Sequence, residues 1–544
     1  VGIGADALGA LTTGNYNVTM GHETLKTSVG AIYNVAIGHT AMRGYTQATA
    51  GYNVVMGAKA MYNIETGTNN VVVGDSAMYG KAGKDNTENI AIGSSALYTA
   101  SGVSNTVAIG HGVMYNATTG VKNVAIGAYA LDALTTASGN VAVGYNALSA
   151  STTAHDNTGI GKDAGKLLTG AYNVIIGAEA AKSATAMASS VVIGRQAGLS
   201  LTTSGRPGVI IGTSAGYNLT DGDDNVLLGF YAGKNGNFEY STILGHQAGE
   251  DNTADYVTLV GHKAGGENTS GERIVAIGAN ALVANTSGNQ NLAVGYVSLY
   301  KNVHGDNNTG IGNYTLYNTA PADGEGDNTA LGYQAGHANT TGTGNVFVGA
   351  NAGYDATATD SNKLFIHNTT GTPLIGGDFS AATVTIGDGT VGKLQLGAAT
   401  EYIHGSGSDV RIHASDNVLI APDDDIDFRC DDFVIADTTP TSWAKFDGGL
   451  HKVAIGHIAP TAELDVRGAS STGMVAFISG TSNGNYPVMH VVDSTDTEVA
   501  WFEGNRSGDT GAYIAVKHWP TSANENNRCG VKFQMKDDGG NRVN

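Results

Sequence analysis

The first two thirds of the chain repeat one short pattern of apolar and polar positions. Each unit holds three residues, mostly apolar, that end at a glycine, as in the Val-Ala-Ile-Gly runs at 35–38 and 124–127. Twenty-one such glycines lie between Gly4 and Gly349, on average about 17 residues apart. Alternating β-branched residues are typical of a short strand. A strand repeated at this interval predicts one turn of a parallel β-solenoid per unit.

Two polar or small positions around the strand are predicted to be structural. The glycine ends the strand, where a positive φ or a close backbone approach is expected. We single out as structural repeat glycines Gly38, Gly127, Gly144, Gly177 and Gly278. Asparagine stands four residues before most of these glycines, and stacked asparagines are predicted to form an amide ladder.

The positions after the glycine also repeat. Alanine recurs three residues after it and predicts a second, tightly packed short strand. The position four residues after it is Leu or Met in the early units and mostly Gly from Gly165 to Gly265. Over that stretch the middle strand residue becomes large, as at Ile175. The exchange predicts an interior of constant packed volume.

The strand is apolar on both faces, which predicts association of several chains. A turn of about 17 residues encloses only one layer of side chains, so the chain leaves one apolar face without a cover. Other copies wound in parallel about one axis are the simplest cover. We therefore expect a homo-oligomer, and specifically a homotrimer.

Composition and charge exclude several classes of protein. Glycine accounts for 79 of the 544 residues and charged residues for only 14%, which disfavours a helical bundle and a charge-rich disordered chain. The net charge of −20 argues against a nucleic-acid-binding surface, because phosphates need cations. No apolar run is long enough to cross a bilayer, so no membrane insertion is expected in this fragment. Because the chain begins at Val1, we expect it to be processed or a fragment.

The repeats resemble the head repeats of YadA-like trimeric autotransporter adhesins and the shafts of bacteriophage tail fibres that use the same roll. The resemblance covers about residues 1–353 and implies a homotrimeric β-roll. The segment from Asn362 to Phe379 resembles a transition segment of phage tail fibres, and 453–468 resembles a motif of the same proteins. In that family the motif often stands upstream of a self-cleaving intramolecular chaperone, which is expected to have been removed or to lie beyond Asn544.

The resemblance and the change of period suggest five domains in an all-β chain. They are listed here in order: a β-solenoid shaft of 21 YadA-like repeats at 1–353, a transition segment at 354–400, a narrower triple-stranded β-helix or prism at 401–440, a connector at 441–468, and a small, incomplete C-terminal β head at 469–544. In the predicted prism Ile412, Ile420, Phe428 and Ile435 recur at steps of seven or eight.

Three groups of residues are candidates for binding chemistry. Trp501, Tyr513, His518 and Trp519 are predicted to form a sugar-stacking receptor site, with a packed β core as the competing interpretation. The histidines directly after the glycine form two pairs on neighbouring turns, His22/His39 and His246/His262, with a spacing that a metal ladder needs. The same position also holds Ala, Tyr, Lys and Phe, which favours an exposed, permissive turn.

Acidic turns are the third group. The runs at 221–224 and 423–427 contain carboxylates that could bind Ca²⁺, although neither fits an EF-hand loop, and solvated loops are the preferred interpretation. No Ser/His/Asp order or carboxylate pair indicates catalysis, so no enzyme and no cofactor are expected. The identity of any bound metal is left open.

These observations predict a virus tail fibre that is extracellular and presents a receptor-binding head for host attachment. Its expected partners are two further copies of itself, a host cell-surface glycan or protein, and other virion tail proteins. A bacterial trimeric surface adhesin is the first alternative, and a polysaccharide-degrading tail spike is the second.

Overall fold

The computed structural model describes residues 1–386, apart from residue 50 and residues 82–84 and 203–205, and beyond 386 it describes only the backbone of strand segments. The chain divides into two compact units, Val1–Asn417 and Val418–Asn544. The described residues contain no helix, so the predicted all-β fold class is confirmed for them.

One parallel sheet of 21 short strands runs along the first unit. The strands are β1 (Gly2–Ile3), β2 (Val18–Met20), β3 (Val35–Ile37), β4 (Val54–Met56), β5 (Val71–Val73), β6 (Ile90–Ile92), β7 (Val107–Ile109), β8 (Val124–Ile126), β9 (Val141–Val143), β10 (Thr158–Ile160), β11 (Val174–Ile176), β12 (Val191–Ile193), β13 (Gly208–Ile211), β14 (Asn225–Leu228), β15 (Thr242–Leu244), β16 (Thr258–Val260), β17 (Val275–Ile277), β18 (Leu292–Val294), β19 (Thr309–Ile311), β20 (Thr329–Leu331) and β21 (Val346–Val348).

Each of these strands pairs in parallel with the next one along the chain. The register keeps the repeat aligned, so that Ala36 lies opposite Val55 and Ala108 lies opposite Ala125. The predicted β-solenoid with about 21 turns of about 17 residues is therefore confirmed. Twenty steps at a strand spacing of about 4.8 Å give a length of about 95 Å.

The two faces of the strands differ in burial, as expected for a single chain that leaves one apolar face without a cover. In every strand from β2 to β21 the middle residue of the apolar triplet is buried, and the residues on either side of it are partly or fully exposed. Ala36 is completely buried between the half-exposed Val35 and Ile37. The middle residue points inward whatever its size, since Ala36 and the larger Ile175 are both completely buried.

The prediction of a second strand in each unit is wrong. The residues after the glycine form consecutive turns, in which the second and fourth positions have a positive φ, such as 56° at Thr40 and 52° at Met42. Hydrogen bonds still connect these residues to the neighbouring turns. The Thr40 amide donates to the His22 carbonyl at 2.8 Å, and the Met42 amide donates to the Ala60 carbonyl at 2.9 Å.

The repeat glycines have the positive φ and the close backbone approach that the sequence predicts. Their φ values are 135° at Gly38, 129° at Gly127, 133° at Gly144, 135° at Gly177 and 133° at Gly278. A Cβ at Gly38 would lie 2.4 Å from the carbonyl oxygen of Gly57, the equivalent glycine one turn away. Both the conformation and the close approach of successive turns therefore require glycine.

The predicted asparagine ladder is present inside the solenoid. The Asn53 amide group donates to Asn34 Oδ1 at 2.9 Å, and the Asn70 amide group donates to Asn53 Oδ1 at 2.9 Å. The same oxygens accept backbone N–H groups, since the backbone N–H of Asn70 donates to Asn53 Oδ1 at 3.0 Å. These fully or almost fully buried side chains satisfy backbone groups that the strands leave unpaired.

The predicted exchange of bulk is also present. Gly165 replaces the leucine that earlier turns place at this position, and a Cβ there would lie 2.8 Å from Cδ1 of Ile175. Gly249 has the same relation to Leu259, with a distance of 2.7 Å. The enlarged middle strand residue thus fills the space left by glycine.

The stack of parallel strands ends in an antiparallel hairpin. Strand β22 (Lys363–Ile366) continues the parallel stack on β21, and β23 (Ile375–Asp378) and β24 (Thr383–Ile386) then pair antiparallel. We call β22 to β24 the cap.

Twelve further strands have a described backbone. They are β25 (Lys393–Gln395), β26 (Tyr402–Ser406), β27 (Asp409–His413), β28 (Asp432–Ala436), β29 (Ser442–Asp447), β30 (Lys452–Ile455), β31 (Leu464–Val466), β32 (Val488–Val492), β33 (Glu498–Glu503), β34 (Tyr513–Ala515), β35 (Met535–Lys536) and β36 (Arg542–Val543). Apart from the parallel pair β30–β31, they pair antiparallel. Ile412 and Ile435 lie in β27 and β28, and Ile420 and Phe428 lie outside the described residues. The narrower prism and the β head stay predictions.

Candidate functional site

The outer face of the strands is an exposed apolar surface that runs along the solenoid. We define the outer stripe as the residues one and three positions before each repeat glycine from β2 to β21; none of them is buried. Val18, Leu228 and Leu331 are 45%, 45% and 49% exposed. Because the strands stack in register, these side chains form two adjacent apolar rows along the solenoid. A single chain leaves both rows in contact with water.

Columns of stacked aromatic rings form a second surface feature. The Tyr62, Tyr79, Tyr98 and Tyr115 rings stack with centroid distances of 5.1, 5.1 and 4.7 Å. A second column contains Tyr300, Tyr317, His337 and Tyr354, and a third contains Tyr16, Tyr33 and Tyr52. These columns were not predicted from the sequence. Their signal was tyrosine at a fixed offset, five residues before or after the repeat glycine.

Charged groups are few, and several of them hold neighbouring turns together. The Glu23 carboxylate accepts from Lys26 Nζ at 2.6 Å and from Arg43 Nε at 2.8 Å, one turn further along. The hydrogen bond from Lys26, and to a lesser extent that from Arg43, holds the pKa of Glu23 below its usual value. The Arg43 guanidinium also lies 5.6 Å from the centre of the Tyr62 ring and donates to its hydroxyl at 3.0 Å. Arg43 therefore makes a cation–π contact with Tyr62, the first ring of the column.

The predicted histidine pairs do lie together. The His22 and His39 rings stack with their centroids 5.3 Å apart, and the His246 and His262 rings stack with theirs 5.4 Å apart. All four rings are exposed. His111 occupies the same position in another turn, where its neighbours in the column are Ser94 and Ala128.

The cap contains a buried histidine with an unusual hydrogen-bonding arrangement. The backbone N–H of Gly353 donates to His367 Nε2 at 3.1 Å, so the ring proton is assigned to Nδ1. Nδ1 is buried and has no hydrogen-bond partner. Burial lowers the pKa of His367, and the charge of Asp355 opposes this effect. Lys363 and Asp378 form an ion pair between β22 and β23, which holds the pKa of Asp378 far below its usual value.

The acidic turn at 221–224 does not form a metal centre in the structure. Among the described residues, no group of three or more His, Cys, Asp or Glu side chains could hold a metal ion. Burial and the charges of Asp255, Asp223 and Asp221 raise the pKa of Glu239. The acidic run at 423–427 lies outside the described residues.

The predicted receptor residues lie in the second unit. Trp501 belongs to β33, where its backbone is opposite Ala515, and Tyr513 opens β34 opposite Glu503. The backbone therefore places Trp501 and Tyr513 on adjacent strands. His518 and Trp519 lie outside the described residues. The receptor site stays a prediction.

Comparisons with protein-family models, with curated proteins and with solved structures found no match. None of the described residues forms a helix that is long and apolar enough to span a membrane.

Proposed function

We propose that this chain is the shaft and head of a homotrimeric fibre, a virus tail fibre that attaches to a host cell surface. The 21 solenoid turns form the shaft, and the C-terminal part presents a receptor-binding surface to a glycan or protein of the host. Three equivalent heads on one fibre would raise avidity without requiring strong individual contacts.

The outer stripe is the observation that carries this proposal. It runs the length of the parallel sheet and consists of Val, Ile, Leu, Met and some Thr at every turn. Contiguous apolar patches larger than a few hundred Å² are rare on monomeric proteins and are typical of interaction surfaces. A stripe that repeats with the strand spacing is best covered by a surface of the same period, and a second copy of this chain provides one.

The interior supports a role as a stiff shaft. Backbone pairing continues from β1 to β22, and ladders of buried asparagine link the turns over long stretches. These contacts fix the spacing between turns. A shaft of this kind can hold a binding surface at a constant distance from its point of attachment.

The oligomeric state is tested by sedimentation and light scattering of the purified chain. We expect a mass three times the 55.3 kDa of one chain. Replacement of Ile126, Val143 and Ile160 by Glu, all in the outer stripe, should give monomers. The matched control replaces the exposed loop residues Thr119, Thr136 and Thr153 by Glu and should remain trimeric. A monomeric unmodified chain would refute the proposal.

The biological setting needs a separate test. Antibodies against the chain, viewed by electron microscopy, should label virion tails. Label on a bacterial envelope would support the adhesin instead, and release of oligosaccharide from host capsule would support the degrading spike.

A further inference from the structure

We propose that each of the two histidine pairs, His22/His39 and His246/His262, binds one transition-metal ion that favours imidazole, such as Cu²⁺ or Zn²⁺. The inference concerns the solenoid surface of a single chain and does not depend on the proposed fibre. Each ion would link two neighbouring turns, with water in its remaining coordination positions.

The geometry of the pairs suits a shared ion. The two rings of each pair lie on consecutive turns, nearly parallel, with interplanar angles of 9° and 18°. Metal–nitrogen bonds of about 2.0–2.1 Å require the two nitrogens to be about 3.4–4.2 Å apart. Because the lone pairs lie in the ring planes, a shared ion requires the exposed rings, whose centroids lie 5.3 and 5.4 Å apart, to tilt towards each other. In the second pair His246 also stacks on Phe230, with centroids 5.0 Å apart, so its ring would leave that contact.

The hydrogen bonds of His39 leave one nitrogen for the metal. The Thr40 hydroxyl donates its only proton to the His39 carbonyl at 2.7 Å. Its 3.4 Å contact with His39 Nδ1 is therefore satisfied by a proton on Nδ1. The lone pair then lies on Nε2, and the hydroxyl acts as the outer partner that orients a metal-bound histidine.

The residues around the first pair leave room for an ion. The positions before and after it in the same column are Ala5 and Ala58, so no large side chain covers the rings. Glu23, the adjacent carboxylate, is already paired with Lys26 and Arg43. The site therefore has two imidazole ligands and favours ions that bind nitrogen over Ca²⁺ or Mg²⁺.

Titration of the full chain with Zn²⁺ as the only metal tests the proposal. The quantity compared between variants is the number of Zn²⁺ ions bound per chain. His22→Ala and His39→Ala should each lower the number of bound ions by one, and the double variant should lower it by no more than one. His246→Ala and His262→Ala should behave in the same way. Alanine occurs naturally in this column at Ala5, Ala58, Ala128 and Ala279, so the variants are expected to fold.

His111→Ala is the matched control, because His111 has the same position in the repeat but no histidine neighbour in its column. It should leave the stoichiometry unchanged. Cu²⁺ bound to the unmodified chain should show two nitrogen ligands per site by electron paramagnetic resonance. Equal losses for His111→Ala, additive losses within one pair, or a single nitrogen per ion would overturn the proposal.

Discussion

Removal of one rung of the asparagine ladder should destabilise the solenoid locally and strongly. Asn140 is completely buried. Its amide group donates to the Ala154 carbonyl at 2.9 Å, and its Oδ1 accepts the backbone N–H of Asn157 at 2.9 Å. Asn140→Ala leaves both of these backbone groups buried without a partner. At about 1–3 kcal/mol for each group, we expect a loss of about 4 kcal/mol.

Hydrogen exchange is the appropriate measurement, because unfolding of a repeat protein is not described by a single free energy. The exchange rate of the Asn157 amide reports the broken hydrogen bond directly. A loss of about 4 kcal/mol corresponds to exchange about a thousandfold faster at this amide. Amides several turns away, such as that of Asn34, should keep their rates.

Asn140→Thr is the matched control, since the chain itself contains threonine in this ladder. At Thr106 the hydroxyl oxygen accepts the Asn123 backbone N–H at 3.4 Å. The threonine variant should therefore keep an acceptor for Asn157 while losing the donor to Ala154, and about half of the effect should remain. If the alanine variant changes the Asn157 rate less than tenfold, or matches the threonine variant, the ladder does not have the energetic role assigned to it.

Two further predictions concern the interior and the cap. Gly165→Leu should overpack against Ile175 and Ile175→Ala should leave a cavity, so the double variant should unfold at a higher denaturant concentration than either single variant. Additive destabilisation would contradict the exchange of bulk. His367, whose pKa lies below its usual 6.5, should stabilise the cap fully above about pH 6.5 and lose this contribution as the pH falls, because the opened cap binds a proton more readily. Gly353 amide exchange, corrected for its intrinsic rate, should accelerate between pH 7 and 5; His367→Gln, which keeps an acceptor, should not show this change.

The solenoid could be predicted from the sequence because each interior position meets the same kind of neighbour in every turn. The glycine at each strand end, the asparagine four residues earlier and the exchange between Gly165 and Ile175 each respond to a neighbour at a fixed offset. Such contacts leave a recurring pattern in the chain, and the structure has all three.

The turns after the glycine could not be predicted from local preference. Thr40 and Met42 have positive φ values, which are costly for residues with a Cβ and uncommon outside glycine and asparagine. Hydrogen bonds to the adjacent turns, rather than the residues' own propensities, hold this conformation. The alternation of small and large residues after the glycine is compatible with a strand. Only the hydrogen bonds between stacked turns favour the turn conformation over a strand.

Which strand face points inward was not predicted from the sequence. Hydrophobicity alone favours placing the larger Val and Ile inside and Ala outside. In turns such as that of Ala36 the order is reversed, and where the inward residue is large, as at Ile175, a glycine four positions after the repeat glycine makes room for it. Of the candidate receptor site, only the backbone of Trp501 and Tyr513 is described, so the site stays a prediction from sequence.

The composition of the outer stripe adds an argument about where copies would meet in the proposed fibre. Strand propensity is satisfied by Thr as well as by Val or Ile, and Thr does occur three positions before the glycine, at Thr158 and Thr242 for example. One position before the glycine, every unit has Ile, Val, Leu or Met. Propensity does not explain this difference, whereas burial of that row against another chain does. Glutamate at Ile126, Val143 and Ile160 should therefore dissociate the fibre more strongly than glutamate at Val124, Val141 and Thr158, as measured by light scattering. Equal effects would place the contact across both rows.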